Sequence, residues 1–116
     1  MSSDDNVVPF PRDPLDDLSL YILEGHAVKG PVRWREYFAW QRTNPETRVA
    51  STALTEEIWI STVFLGMDHS FSGSGPPLLF ETRIFGGPSD KFQKRCSTWE
   101  EAEALHAEAV ELSCAR

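Results

Sequence analysis

Residues 58–67 read IWISTVFLGM, and this stretch decides the fold. Its side chains fall into two alternating sets, a period of two that is typical of a β-strand. The sets are Ile58, Ile60, Thr62 and Phe64 on one side and Trp59, Ser61, Val63 and Leu65 on the other. Since both are mainly apolar, the pattern predicts a central strand that is covered on both faces, or on one face by a second subunit.

Four other segments have strand-like patterns. They are LSLYILEG (18–25), TRVASTAL (47–54), LLFETRIF (78–85) and KFQKRC (91–96). In 78–85, alternation places Phe80, Thr82 and Ile84 on one face and Glu81 and Arg83 on the other. The connections from residue 47 onward are short, which predicts antiparallel neighbours, because a parallel pair needs a long crossover.

Two segments predict helices. Gly30 followed by Pro31 suits a helix start, and aromatic residues at helical spacing favour a helix over about 31–42. In the second segment, Thr98 and Glu101 have the spacing of a capping box, which is followed by an apolar stripe. We expect this helix at about 98–113.

These elements predict an α+β fold. It is a three- to four-stranded antiparallel β-meander with one helix before it and a C-terminal helix, both packed on one sheet face. Residues 18–116 are predicted to form a single domain. Residues 1–17 contain five acidic residues and three prolines, so we expect a disordered acidic tail there.

Composition restricts the class of protein. The chain has 116 residues and a net charge of −7, which argues against non-specific binding of nucleic acid. Its two cysteines form no CxxC motif, which favours reduced thiols in a cytoplasm. No apolar run reaches the ~18 residues of a membrane span, and the acidic start is not typical of a secretory signal. We therefore expect a cytoplasmic protein with no membrane partner.

Three longer motifs suggest a family. The blocks STVFLGMDHSF, PPLLFETRIFGG and STWEEAEALH resemble a group of small uncharacterised proteins encoded by tailed phages and prophages. The resemblance extends over about residues 20–112. It implies a phage or prophage origin, a location in the cytoplasm of an infected or lysogenic bacterium, and an accessory role.

Asp68 and His69 follow the central strand at the entrance to the loop SFSGSGPP (70–77). An acid–base pair, a binding site and a turn-organising role are all open for them. Adjacent residues of a strand point to opposite faces, so convergence on one substrate atom requires that the chain has already turned. Aspartate commonly accepts backbone N–H groups at turns, which favours the turn-organising role.

The three histidines, His26, His69 and His106, lie in different predicted elements and lack metal-ligand spacing. The sequence therefore predicts neither a metal site nor a cofactor. His106 follows Ala102 by four residues, at the border of the apolar stripe. We expect its ring to point towards water or a neighbouring carbonyl group.

Trp59, Glu81 and Arg83 are predicted to share the sheet face opposite the helices. As candidate binding residues, they would offer a stacking surface and polar groups to a ligand. The alternative without a ligand is that Glu81 and Arg83 belong to an exposed cross-strand ion pair. Because Val63 and Leu65 face the same side, the exposed apolar patch also predicts a homodimer through this Trp59/Glu81 face.

The sequence contains no motif for a nucleophile, which favours a non-enzymatic role. The leading hypothesis is a phage or prophage accessory protein that binds a host protein or a small ligand, with counter-defence as one such role. A virion or assembly component is an alternative. A small metal-dependent hydrolase that uses Asp68, His69 and His106 is another.

Overall fold

The computed structural model describes residues 19–70 and 75–114. The predicted tail, residues 1–17, lies outside this part of the chain. The elements in chain order are β1 (Leu20–Glu24), β2 (Ala27–Val32), α1 (Trp34–Thr43), β3 (Arg48–Ala53), β4 (Trp59–Phe64), β5 (Phe80–Phe85), β6 (Gln93–Cys96) and α2 (Trp99–Cys114). This set of helices and antiparallel strands is the α+β fold that the sequence predicts.

Strands β3 to β6 form one antiparallel sheet in the order β3-β4-β5-β6, which confirms the meander. Between the two central strands, Trp59 lies opposite Phe85 and Thr62 lies opposite Thr82. Directly opposed residues share a face. The register therefore places Ile60, Thr62, Thr82 and Ile84 on one face and the tryptophan on the other.

Helix α2 packs across the first of these faces, where Ala102 and Ala109 are fully buried against the sheet. Small alanines let the helix approach the strands closely. The predicted capping box is present: Thr98 Oγ1 accepts from Glu101 N–H at 3.1 Å, and Glu101 Oε1 accepts from Thr98 N–H at 3.2 Å. The helix therefore begins where this local signal predicts.

Strands β1 and β2 form a separate antiparallel hairpin, and β2 corrects the sequence prediction. Pro31 lies in β2 instead of opening a helix, and α1 begins only at Trp34. Gly30 has φ of +150°, and a Cβ atom there would lie 2.8 Å from the Tyr21 ring. Glycine at position 30 thus allows β1 and β2 to pack closely. The sequence Gly-Pro alone does not show whether the glycine has this role or is the N-cap of a helix.

Helix α1 packs on β1 and reaches the edge of the same core through Trp40. The Trp40 ring meets the Phe64 ring edge-on at 5.8 Å, and its indole N–H donates to the Leu23 carbonyl oxygen at 3.1 Å. Both helices therefore contact the side of the sheet that carries Phe64. No helix in the described ranges is long and apolar enough to cross a membrane.

Candidate functional site

The sheet face opposite α2 is called the open face here. It consists of the outward residues of the central strands and of β6: Trp59, Ser61, Val63, Glu81, Arg83, Phe85, Gln93 and Arg95. Among the elements that the structure describes, both helices contact the other face. No described element of this chain therefore covers the second face of the central strand, and its cover by a second subunit stays a prediction.

Trp59 is the exposed aromatic residue of this face, with 39% of its surface accessible. Its ring stacks on that of Phe85, with centroids 4.9 Å apart and an interplanar angle of 22°. Its indole N–H donates to Ser51 Oγ at 2.7 Å. The cross-strand stack and the hydrogen bond hold the indole in one orientation although it faces solvent.

Glu81 and Arg83 have different partners from each other. Glu81 is well covered, with 13% side-chain exposure, and its Oε2 accepts from Arg95 Nε at 3.0 Å on the neighbouring strand. It also accepts from Gln93 Nε2. The guanidinium carbon of Arg83 lies 4.9 Å from the Phe85 ring centre. The sequence predicts that Glu81 and Arg83 lie side by side on one face. The ion pair of Glu81, however, forms across strands with Arg95.

Asp68 organises the turn after β4. Its Oδ1 accepts from the backbone N–H groups of Leu78, at 2.9 Å, and Ser70, at 2.8 Å, and Oδ2 accepts from Ser70 Oγ at 3.1 Å. The Leu78 bond is the main cause of a lowered Asp68 pKa, since it stabilises the carboxylate. One carboxylate thus joins both ends of the loop, which is the role that the sequence favours.

His69 bonds locally as well. Its Nδ1 lies 2.7 Å from the Met67 carbonyl oxygen. A carbonyl oxygen can only accept, so Nδ1 carries the proton. The His69 backbone N–H donates to the Leu78 carbonyl oxygen at 3.0 Å, which extends the pairing past the end of β4.

His106 corrects the prediction of a water-facing border residue, because it is only 8% exposed. Its Nε2 lies 2.8 Å from Thr52 Oγ1, and its Nδ1 lies 2.8 Å from Thr62 Oγ1. Thr62 in turn bonds to Thr82, with 2.7 Å between the hydroxyl oxygens. Three strands and α2 thus share one buried polar chain. Burial lowers the pKa of His106, so the ring is neutral in the fold at pH 7.

The six candidate residues therefore lie in three separate places. Trp59, Glu81 and Arg83 share the open face, Asp68 and His69 hold the turn, and His106 is in the core. In the parts of the chain that the structure describes, no cluster of three or more His, Cys, Asp or Glu side chains could hold a metal ion.

Three residues that contact Trp59, Glu81 or Arg83 were not among the predicted site residues: Phe85, Ser51 and Arg95. Their signal is the strand register, which brings Phe85 opposite Trp59 and Arg95 opposite Glu81. Alternation within one strand does not supply that register. Sequence reasoning also missed the stack of His26 on Trp99, with centroids 3.9 Å apart, where the hairpin turn meets the start of α2.

Comparison with known proteins adds no relative. No family model, no curated protein and no solved structure matches this chain.

Proposed function

We propose that this chain is a non-enzymatic phage or prophage accessory protein of the bacterial cytoplasm, which binds a host protein or a small ligand through its open face. Counter-defence is one role that such binding would serve. The observation that supports the proposal is the fixed, solvent-facing Trp59 beside Arg83 on a sheet face that no described element packs against. The origin and the location rest on the resemblance of the sequence motifs.

The geometry of Trp59 suits a binding role. Binding would remove from water the 39% of Trp59 that is exposed, which contributes a fraction of the about 1.5–3 kcal/mol that full burial of a large apolar side chain is worth. Its orientation is already set by Phe85 and Ser51, so binding would order few additional groups. Tryptophan and arginine also dominate the energetics of known interfaces.

The alternative of a metal-dependent hydrolase needs Asp68, His69 and His106 to converge. Their positions argue against it, because both ring nitrogens of His106 bond to threonines in the core. Asp68 accepts three hydrogen bonds within its own turn. A hydrolase would have to give up these contacts before it could bind metal or substrate.

The homodimer through the Trp59/Glu81 face stays a prediction. An isologous contact brings one patch against its own copy. Two patches of net positive charge would then meet, because each carries Arg83 and Arg95 and its single glutamate is already paired with Arg95. An anionic occupant is better matched to this face.

The proposal can be tested by capture from bacterial lysate with immobilised full-length chain. Proteins and small molecules released by denaturation are identified by mass spectrometry. The comparison is with Trp59→Ser/Arg83→Glu and with the control Arg42→Glu, which changes the same charge in the last turn of α1. We expect one bound species at near-stoichiometric amount with wild type and control, and at least a tenfold loss with the double variant.

Equal capture by all three proteins, or no stoichiometric species with wild type, would contradict the proposal. The alternative of a virion or assembly component is tested separately by mass spectrometry of purified particles. Finding the chain there at a fixed copy number would favour that alternative.

A further inference from the structure

An open cleft lies over β4 and β5 on the open face, between their outward side chains. Its volume is about 200 Å³, and it is lined by Ser61, Val63, Glu81, Arg83 and Phe85. Pockets for drug-sized ligands have volumes of roughly 300–1,000 Å³. The cleft is therefore large enough for one ring or one acidic group, and a larger ligand would extend over the neighbouring Trp59.

The charge in the cleft favours an anion. Glu81 is neutralised by Arg95 and is well covered, whereas no carboxylate among the described residues forms an ion pair with Arg83. The cleft therefore presents one cationic group, although the whole chain has a net charge of −7. Arginine binds carboxylate and phosphate groups through its fixed fork of N–H donors.

The aromatic residues favour a planar ring. The Phe85 centroid is 4.9 Å from both the Trp59 centroid and the Arg83 guanidinium carbon. Phe85 thus already contacts two side chains of this face, whereas Trp59 is exposed and is the ring that remains available to a ligand. Heteroaromatic bases stack well on indole.

The area of the open face argues against a large partner. The whole sheet has three strands of six residues and one of four. With strands about 4.8 Å apart and about 3.4 Å per residue, it covers roughly 360 Å² in projection. A standard protein–protein interface buries about 800 Å² on each side. A second copy of the chain or a folded protein would therefore need contacts beyond this face to reach a standard interface, whereas a small ligand would not.

We propose that the open face binds a nucleotide, a small ligand with a planar base and an anionic phosphate. Its base stacks on Trp59, and its phosphate is bound by Arg83, with Ser61 Oγ beside it in the cleft. The inference rests on the proposed function and names the ligand class for the same face. The base and phosphate can belong to a free mononucleotide or to one nucleotide of a single-stranded nucleic acid. We favour the free mononucleotide, because the acidic chain repels a polyanion.

The test measures binding of adenosine 5′-monophosphate to the full chain by isothermal titration calorimetry, and sedimentation gives the oligomeric state. We expect saturable binding at one site per monomer. Adenosine, which lacks the anion, and inorganic phosphate, which lacks the ring, should each bind at least about tenfold more weakly. Arg83→Gln should weaken binding of the nucleotide by about tenfold or more, the factor that 1.4 kcal/mol represents.

Two further variants separate binding from folding. Trp59→Phe keeps an aromatic ring and should retain part of the affinity, and Arg42→Gln on α1 should retain all of it. Circular dichroism checks that each variant is folded. Failure to bind at 10 mM nucleotide, equal affinity in Arg83→Gln, tighter binding of a thymidine decamer, or a stable dimer that excludes the nucleotide would each overturn the assignment.

Failure of this inference is distinct from failure of the proposed function. If lysate capture depends on Trp59 and Arg83 but the nucleotide does not bind, the binding role of the face stands and the ligand class is wrong. If neither capture nor titration depends on these residues, both proposals are wrong.

Discussion

Protonation of His106 should destabilise the fold, because the ring is buried between α2 and the sheet with only hydroxyl partners. Its pKa is lowered from the ordinary value of 6.5 by burial, whereas the unfolded chain keeps that ordinary value. Below pH 6.5 the unfolded state therefore binds more protons than the native state. Stability must then fall as the pH falls from 6.5 towards the folded pKa, and it is fully present above 6.5.

The magnitude follows from the linkage relation. Each pH unit between the unfolded and the folded pKa costs about 1.4 kcal/mol of unfolding free energy. From pH 7.5 to 5.5, His106 should thus reduce stability by as much as about 1.4 kcal/mol. Replacement by leucine, which has similar bulk, removes this effect. At pH 7.5 it should cost about 1–3 kcal/mol, because the hydroxyls of Thr52 and Thr62 lose their imidazole partner.

The assay is urea denaturation at 25 °C of the wild type and His106→Leu, at pH 7.5, 6.5 and 5.5. The stability advantage of the wild type should change little between pH 7.5 and 6.5 and should shrink mainly between pH 6.5 and 5.5. Thr62→Val should keep the pH dependence, since the ring stays buried when one hydroxyl is lost. An advantage that stays constant or grows towards pH 5.5 would refute the reasoning.

Three other outcomes are expected. Asp68→Ala should lower the unfolding free energy by about 1–2 kcal/mol, with a smaller but measurable loss for Asp68→Asn, which keeps one oxygen acceptor without the charge. No loss for Asp68→Asn in urea titrations would contradict a charge-assisted turn. Gly86→Ala should lower stability by more than about 2 kcal/mol, because a Cβ there would overlap the Glu57 carbonyl oxygen and the φ of +86° disfavours any residue with a side chain. An unchanged thermal unfolding temperature would refute this steric argument. Cys114, which is exposed, should react with a thiol reagent at pH 8 faster than Cys96, whose pKa burial raises to about 11; mass spectrometry of partly labelled protein decides the order.

Local signals carried most of the fold prediction. The alternation in β4 and β5 and the capping box before α2 involve residues within a few positions of each other, and the structure has both. The hairpin strand β2 was missed because Gly30 and Pro31 also suit a helix start. What decides between the two is the contact of Gly30 with Tyr21 across the hairpin, which depends on β1.

The candidate sites depend more than the fold does on contacts between residues that are distant in sequence. Helical spacing predicts a border position for His106, and its burial is not foreseen because its partners Thr52 and Thr62 are 54 and 44 positions away in sequence. A usable signal was present: Thr62 and Thr82 lie on the apolar faces of two strands, where a buried hydroxyl needs a polar partner. Alternation correctly put Trp59 and Arg83 on one face, but only the register of β4 and β5 brings Phe85 opposite Trp59.

The most direct test of binding through the open face is ¹⁹F NMR of the full chain labelled with 5-fluorotryptophan, recorded in concentrated lysate of the bacterial host. The chain has four tryptophans, so four signals are expected, each assigned by a Trp→Phe substitution. If the open face binds, the Trp59 signal should shift or broaden in lysate relative to buffer, while those of Trp34, Trp40 and Trp99 stay in place. An unchanged Trp59 signal beside a shifted signal from another tryptophan, or four unchanged signals, would contradict the account.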